Sequence, residues 1–240
     1  MTITQELESQ GDISKDVIFP PSDLYSDEPP LETELHLRQI MLLLQCLEWL
    51  WPGRNDFYAA GNLTIYYSPH QKKSEYFRGP DFFVVLGCER KTRKSWVVWE
   101  EEGKYPNVII EILSESTAKT DKGLKKTIYQ DIFRTPDYFW FDPYTLEFAG
   151  FHLLDGEYQP LQANAEGYLW SQQLGLYLGI NWGLLRWFTP DRELVPTLEE
   201  TAAQAQETAA QAQKIAAQAQ EKTERLAAKL RELNIDPDTI

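Results

Sequence analysis

Three residues could act together on a phosphate ester if the chain brings them close: Asp81, Glu111 and Lys125. Phosphodiester cleavage takes a hard cation held by oxygen ligands, a water to attack phosphorus, and positive charge on the transition state. Asp81 follows Gly79-Pro80 and precedes the apolar run Phe82-Phe83-Val84-Val85-Leu86. Proline has no N–H and suits a strand entrance, so Pro80 fixes where Asp81 projects. Glu111 stands inside Val108-Ile109-Ile110-Glu111-Ile112-Leu113. A carboxylate within an almost continuous aliphatic strand is costly unless paired, protonated or metal-bound. Two plainer readings stay open for it: an edge strand with Glu111 facing water, or a buried ion pair. Lys125 lies among Lys119, Lys122 and Lys126, four residues after Asp121 and four before Tyr129, so these share a helix face. The alternatives there are an exposed Asp121–Lys125 pair, worth under roughly 1 kcal/mol, or a lysine beside a bound phosphate.

These residues need elements to hold them. The first thirty or so residues are acidic and carry Pro20, Pro21, Pro29 and Pro30, which predicts an extended arm. From Thr33 to Trp51, apolar Leu37, Ile40, Met41, Leu44 and Leu47 recur at helical spacing, and Pro52-Gly53 ends the run. Strands are expected over Asn62–Tyr67, Asp81–Leu86, Ser95–Trp99 and Val108–Leu113. A second helix is expected from about Thr120 to Phe133, with Leu124, Ile128 and Ile132 on its apolar face, followed by a strand at Tyr138–Phe141. Glu147–Leu161 reads as a hairpin turning at Asp155-Gly156. Helices interrupting a sheet make the class α/β.

The C-terminal part is different. TAAQAQE (201–207), TAAQAQK (208–214) and IAAQAQE (215–221) are near-copies of one seven-residue unit. Leu198, Ala202, Ala205, Ala209, Ala212, Ala216, Ala219, Thr223, Leu226, Leu230 and Leu233 keep a 4-3 spacing, the coiled-coil pattern. A single solvated helix is the alternative, because alanine seams bury little area. If the helix pairs, its partner is a second copy or the chain's own core.

The formal net charge of −14 opposes broad electrostatic binding to nucleic acid. Nine acids against one base fall in residues 1–36, and eight acids against five bases in 199–240, leaving a net of about −3 between them. The acidity thus lies mostly outside the candidate catalytic part. No basic-plus-apolar leader is present, and the apolar stretch from Ile40 to Leu50 is broken by Gln45 and Glu48, so a soluble cytoplasmic protein without membrane contact is expected. Cys46 and Cys88 read as reduced, buried thiols without zinc spacing. His36, His70 and His152 form no ligand spacing and read as structural or surface residues. No P-loop, GxSxG or dinucleotide fingerprint occurs. The eight tryptophans sit in apolar patterns that core packing explains.

The run RGPDFFVV, then NVIIEILSEST, DKGLKKTIYQ and TPDYFWFDP, resembles the Uma-type putative restriction endonucleases, a family abundant in cyanobacteria within the PD-(D/E)XK nuclease superfamily. The resemblance covers approximately Glu34 to Pro190, with the four blocks in the family's order. It implies a restriction-endonuclease-like core, a mixed β-sheet flanked by helices, over 33–197, between the arm at 1–32 and the heptad helix at 198–240. It places the family's proline-aspartate on Pro80-Asp81, its glutamate on Glu111 and its helical lysine on Lys125. By that resemblance Asp81 and Glu111 would ligate Mg²⁺ or Mn²⁺, with the Ile112 carbonyl as a third protein ligand, to hydrolyse DNA. The family also tends to carry an acid in the first helix, for which Glu34 is the candidate. Two positions depart from the pattern: Leu113 replaces the lysine after the second acid, and Glu115 stands where the family usually has proline, adding negative charge. Two other readings remain: a nuclease acting on RNA, and a catalytically silent nuclease-fold protein serving as an oligomeric binding or scaffold module.

Overall fold

A computed structural model describes residues 33–68, 70, 76–114 and 117–234. The expected arm at 1–32 and Glu115 lie outside the described residues. The chain divides into two units between Val195 and Pro196.

In the first unit, helix α1 (Glu34–Leu50) begins at Thr33, whose hydroxyl accepts from the His36 N–H at 3.2 Å. The strands follow as β1 (Phe57–Gly61), β2 (Ile65–Tyr66), β3 (Phe77–Arg78), β4 (Phe82–Leu86), β5 (Trp96–Val97) and β6 (Val108–Ile112). A helical segment, α2 (118–133), then leads to β7 (Asp137–Phe141), β8 (Phe148–Leu154), β9 (Glu157–Pro160), β10 (Leu169–Ser171), β11 (Leu176–Asn181) and β12 (Leu184–Phe188). The principal sheet has six strands in the order β1-β4-β6-β7-β8-β9. All neighbours are antiparallel except β6 and β7, which run parallel because α2 crosses over between them. The class is α/β with a mixed sheet flanked by helices and followed by a long C-terminal helix.

Alternation along the strands sorts the core into two layers. Phe82, Val84, Val108, Ile110 and Ile112 point to one face, where Ile40, Leu43 and Leu47 of α1 and the β10-β11-β12 sheet cover them. Phe83, Val85, Ile109 and Tyr138 point to the other, against Tyr129 and Phe133 of α2 and Trp96 of the small β3-β2-β5 sheet. Asp81 and Glu111 have the parity of the second layer, so the pleat alone aims them toward α2. Gly61 lets α1 approach β1: a Cβ there would run into Ile40 Cγ2.

The elements depart from expectation in instructive ways. β1 was not anticipated, since Tyr58-Ala59-Ala60-Gly61 has little β-propensity; pairing with β4 makes it a strand. The expected strands at 62–67 and 95–99 shrink to two residues each, and β10 to β12 were not resolved from the sequence. In α1, Leu37 and Met41 are 42% and 46% exposed, while His36, Gln39, Leu43 and Cys46 take the buried face. Gln39 is held there by bonds to the Leu185 backbone, Nε2 to the carbonyl at 2.8 Å and Oε1 from the N–H at 3.0 Å. In α2, Leu124 and Ile132 are exposed and the buried stripe is Asp121, Ile128, Tyr129 and Phe133. The reason is backbone geometry. Asp121–Lys125 and Tyr129–Phe133 are π-helical turns around the α-helical Lys126–Ile128. The wider turns lengthen the repeat to about four residues, which aligns 121, 125, 129 and 133. The β8–β9 hairpin does turn at Asp155-Gly156, both with positive φ (50° and 92°), as a two-residue primed turn requires.

Among its described residues the second unit is one helix, α3 (Leu198–Glu232), opened by a capping box in which Thr197 and Glu200 satisfy each other's backbone N–H groups. It has no buried residue; Ile215 is 61% exposed, Leu226 55% and Leu233 69%. Among the described residues no helix is long and apolar enough to cross a membrane.

Candidate active site

The register that sets Phe82 opposite Ile110 brings Asp81, one step earlier, across from Glu111. Two backbone bonds then lock the acids together. The Asp81 N–H donates to Glu111 Oε2 at 3.2 Å, and the Ile112 N–H donates to Asp81 Oδ2 at 2.7 Å. Each carboxylate is thus oriented by the other's strand, and neither depends on a flexible loop.

From α2, the aligned stripe supplies three groups. Lys125 Nζ lies 3.1 Å from Glu111 Oε2 and 2.9 Å from Asp121 Oδ1. The Tyr129 hydroxyl donates to Glu111 Oε1 at 2.6 Å. The Tyr138 hydroxyl from β7 donates to the Asp121 carbonyl at 2.9 Å, fixing the start of the π-turn. From α1, His36 Nε2 sits 3.0 Å from Asp81 Oδ1. Glu111 and Asp121 are fully buried, while the Lys125 and Asp81 side chains are 17% and 13% exposed.

The electrostatics follow from crowding. Burial raises the Glu111 carboxyl well above its usual range; Lys125 opposes that shift, while the negative charges of Asp81 and Asp121 add to it. Burial also pushes Asp81 up, yet the His36 hydrogen bond and charge, Lys125 and the Ile112 N–H outweigh it and hold Asp81 below the ordinary value. Asp121 is raised by burial against the pull of Lys125. Lys125 is disfavoured by burial, but the three surrounding carboxylates win and keep it charged far above neutral pH. Tyr129 is raised by burial and by Glu111, so its phenol stays a hydrogen-bond donor.

The structure brings together the three residues expected from sequence, and Ile112 contributes its N–H beside them. Glu34 is elsewhere: its side chain is 76% exposed and pairs with Arg38 at 2.7 Å. The first helix contributes His36 instead, a histidine whose spacing suggests a structural or surface role. Nothing local to His36 signals this, because its partner lies far along the chain. Asp121 was read with an exposed ion pair as one alternative; it is instead wholly inside, on the π-turn. Lys122 and Lys126 serve other contacts, over the rings of Trp140 and Phe151 at 4.0 and 3.4 Å.

The donor chemistry suits a hard divalent cation. Three carboxylates crowd one ammonium, so acid exceeds base in a buried site, and the oxygens are of the type Mg²⁺ and Mn²⁺ prefer. Among the described residues no cluster of three or more His, Cys, Asp or Glu forms a ready metal cage. Mg²⁺ seldom uses one, binding through one or two carboxylates and keeping several waters. Asp81 and Glu111 meet that requirement.

Residues 24–186 match the family model described as Uma2, putative restriction endonuclease. Among solved structures, the chain is similar to a putative nuclease belonging to DUF820 from Anabaena variabilis ATCC 29413. The identity is 12%, the TM-score 0.46, and the match covers 61% of this chain and 76% of that one. No curated protein matches.

Proposed function

This chain belongs to the Uma2 putative restriction endonuclease family, and from that premise we propose that it is a divalent-metal-dependent endonuclease hydrolysing phosphodiester bonds, with DNA as its substrate. The observation that carries the proposal is the reciprocal locking of Asp81 and Glu111 across β4 and β6, with Lys125 between Glu111 and Asp121. Such an arrangement costs stability in a core and is worth keeping where the acids have a task.

Asp81 and Glu111 would hold Mg²⁺ or Mn²⁺. When bound, the ion would neutralise phosphate charge and make water a better nucleophile. The protein's own groups supply the rest. His36 holds Asp81 Oδ1 and the Ile112 N–H holds Oδ2, so this carboxylate presents a fixed orientation. Tyr129 fixes Glu111 Oε1 in the same way. Lys125 keeps a permanent positive charge beside the acids, where it stabilises negative charge developing on a phosphate oxygen. Burial of Glu111 and Asp121 keeps bulk water from screening these interactions.

The test is nicking of supercoiled plasmid in Mg²⁺ or Mn²⁺ by the wild type, Asp81→Asn and Glu111→Gln, alongside calorimetric titration of Mn²⁺. Cleavage by the wild type alone, with Mn²⁺ binding lost in both variants, supports the proposal. Cleavage that survives both substitutions refutes it. One observation favours a second reading, a nuclease fold retained for binding: both Glu111 oxygens are already engaged inside the protein. Absence of Mn²⁺ binding in the folded wild type would select it, and degradation of RNA but not DNA would reassign the substrate.

A further inference from the structure

A cavity of about 580 Å³ that the mechanism above does not use lies beyond Tyr129 and Phe133 from the carboxylate site. Its walls come from residues flanking the small sheet and from α2: Tyr67, Tyr76, Trp99, Tyr105 and Ile132. Tyr67 follows β2 and is tied to Tyr76, before β3, through a 3.0 Å N–H···O bond between their backbones. Their rings lie 5.8 Å apart at 46°. Tyr76 and Ile132 at the cavity are 45% and 46% exposed, whereas Tyr67 is 5% exposed. Trp99 carries a buried Nε1–H with no acceptor among the described residues. That nitrogen is enclosed by protein, so Trp99 offers the cavity ring surface rather than a donor.

The cavity is linked to the acids by a short run of rings. Tyr67 and Tyr105 contact Phe133 at centroid distances of 4.8 and 5.0 Å, and Phe133 contacts Tyr129 at 5.3 Å. Tyr129 in turn holds Glu111. Arg78 of β3 donates from Nη1 to the Phe77 carbonyl at 2.7 Å, and its charge opposes the rise that burial gives the Tyr67 phenol. Arg78 lies three residues before Asp81. Arg78 thus puts a cation for phosphate on the same small sheet whose flanking residues give the cavity its aromatic faces.

We infer that this cavity receives an unstacked nucleobase of the substrate, so that the protein acts on single-stranded or locally opened nucleic acid; this rests on the nuclease reading above. Charge points the same way. The chain's net charge is −14, with about −3 of it in residues 37–198, so phosphate contacts alone attract weakly and sequence-tolerant stacking adds to them. Phenol and indole rings offer π-faces to any base, and a cavity of this volume admits a base but not a duplex.

The experiment is fluorescence anisotropy of a labelled single-stranded oligodeoxynucleotide with the full-length chain in the absence of divalent ions, where no cleavage occurs. The same measurement uses an abasic strand of equal length. The wild type should bind the normal strand about tenfold or more tightly than the abasic one. Tyr76→Ala and Trp99→Ala should each remove most of that difference, while Asp81→Asn keeps it. Equal wild-type affinity for the two strands overturns the inference, as does unchanged discrimination in Tyr76→Ala. Loss in both variants of binding to a peptide spanning residues 17–32, with oligonucleotide binding intact, would assign the cavity to the chain's own proline-bearing segment and overturn it too. Base discrimination without any Asp81-dependent cleavage would remove the nuclease reading and leave a nucleic-acid-binding protein, so the two failures are distinguishable.

Discussion

Replacing Lys125 with methionine keeps the aliphatic stem and deletes the charge that two buried carboxylates share. The ammonium lies 3.1 Å from Glu111 and 2.9 Å from Asp121, both fully buried. At an effective dielectric constant of about 20, each contact is worth about 5 kcal/mol before dehydration of the lysine is subtracted. Breaking a buried pair by removing one partner leaves a net loss of about 3–5 kcal/mol. For a unit of this size that lowers Tm by roughly 6–20 °C. The loss must depend on pH. Glu111 and Asp121 are raised by burial in the folded protein, so the folded state holds protons that the unfolded chain releases. Stability therefore falls as pH rises from the ordinary carboxylate range through the folded values. Lys125 is the group that pulls both back down, so without it the folded values climb further and the falling limb becomes deeper and reaches higher pH. Toward the acid end of the range more of both carboxyls is protonated in the folded variant, and the deficit shrinks. Thermal melts of wild type and Lys125→Met from pH 5 to pH 8.5, followed by circular dichroism, measure this directly. A deficit of the same size at every pH would refute the charge argument and assign the effect to packing alone.

Tyr129→Phe leaves Glu111 Oε1 without its 2.6 Å donor; it should cost about 1–3 kcal/mol in urea unfolding and slow plasmid nicking. Gly61→Ala forces a Cβ against Ile40 where α1 meets β1, and should lower stability by about 1–3 kcal/mol in the same assay. The heptad seam is exposed at Leu198, Leu226 and Leu233, and pairing with a second copy would cover it. Ending the chain at Thr197 should then reduce the solution mass measured by light scattering to that of a monomer, and an unchanged mass would rule out assembly through this helix.

Much of the site was legible because its signals are local. A proline-aspartate at a strand entrance, a glutamate inside an aliphatic strand and a lysine four residues before a tyrosine are each visible within a few residues. Alternation puts Asp81 and Glu111 on one face once the strands are assigned, so parity and residue type together select these two acids. The heptad of α3 was equally plain, since a repeat carries its own period. What stayed hidden depends on distant partners or on backbone geometry that composition does not encode. β1 is a strand because β4 pairs with it. Leu37 and Met41 face solvent because Gln39 reaches the Leu185 backbone and turns α1. Leu124 and Ile132 are displaced because two π-turns lengthen the repeat of α2 and bring Asp121 and Tyr129 inward. His36 enters the site only because α1 ends its first turn beside Asp81. The sequence by itself thus determined which acids and which lysine could share a task, through patterns a few residues long. Only the tertiary structure decided what surrounds them, because burial and the second partner of every bond come from segments the chain brings together from far apart.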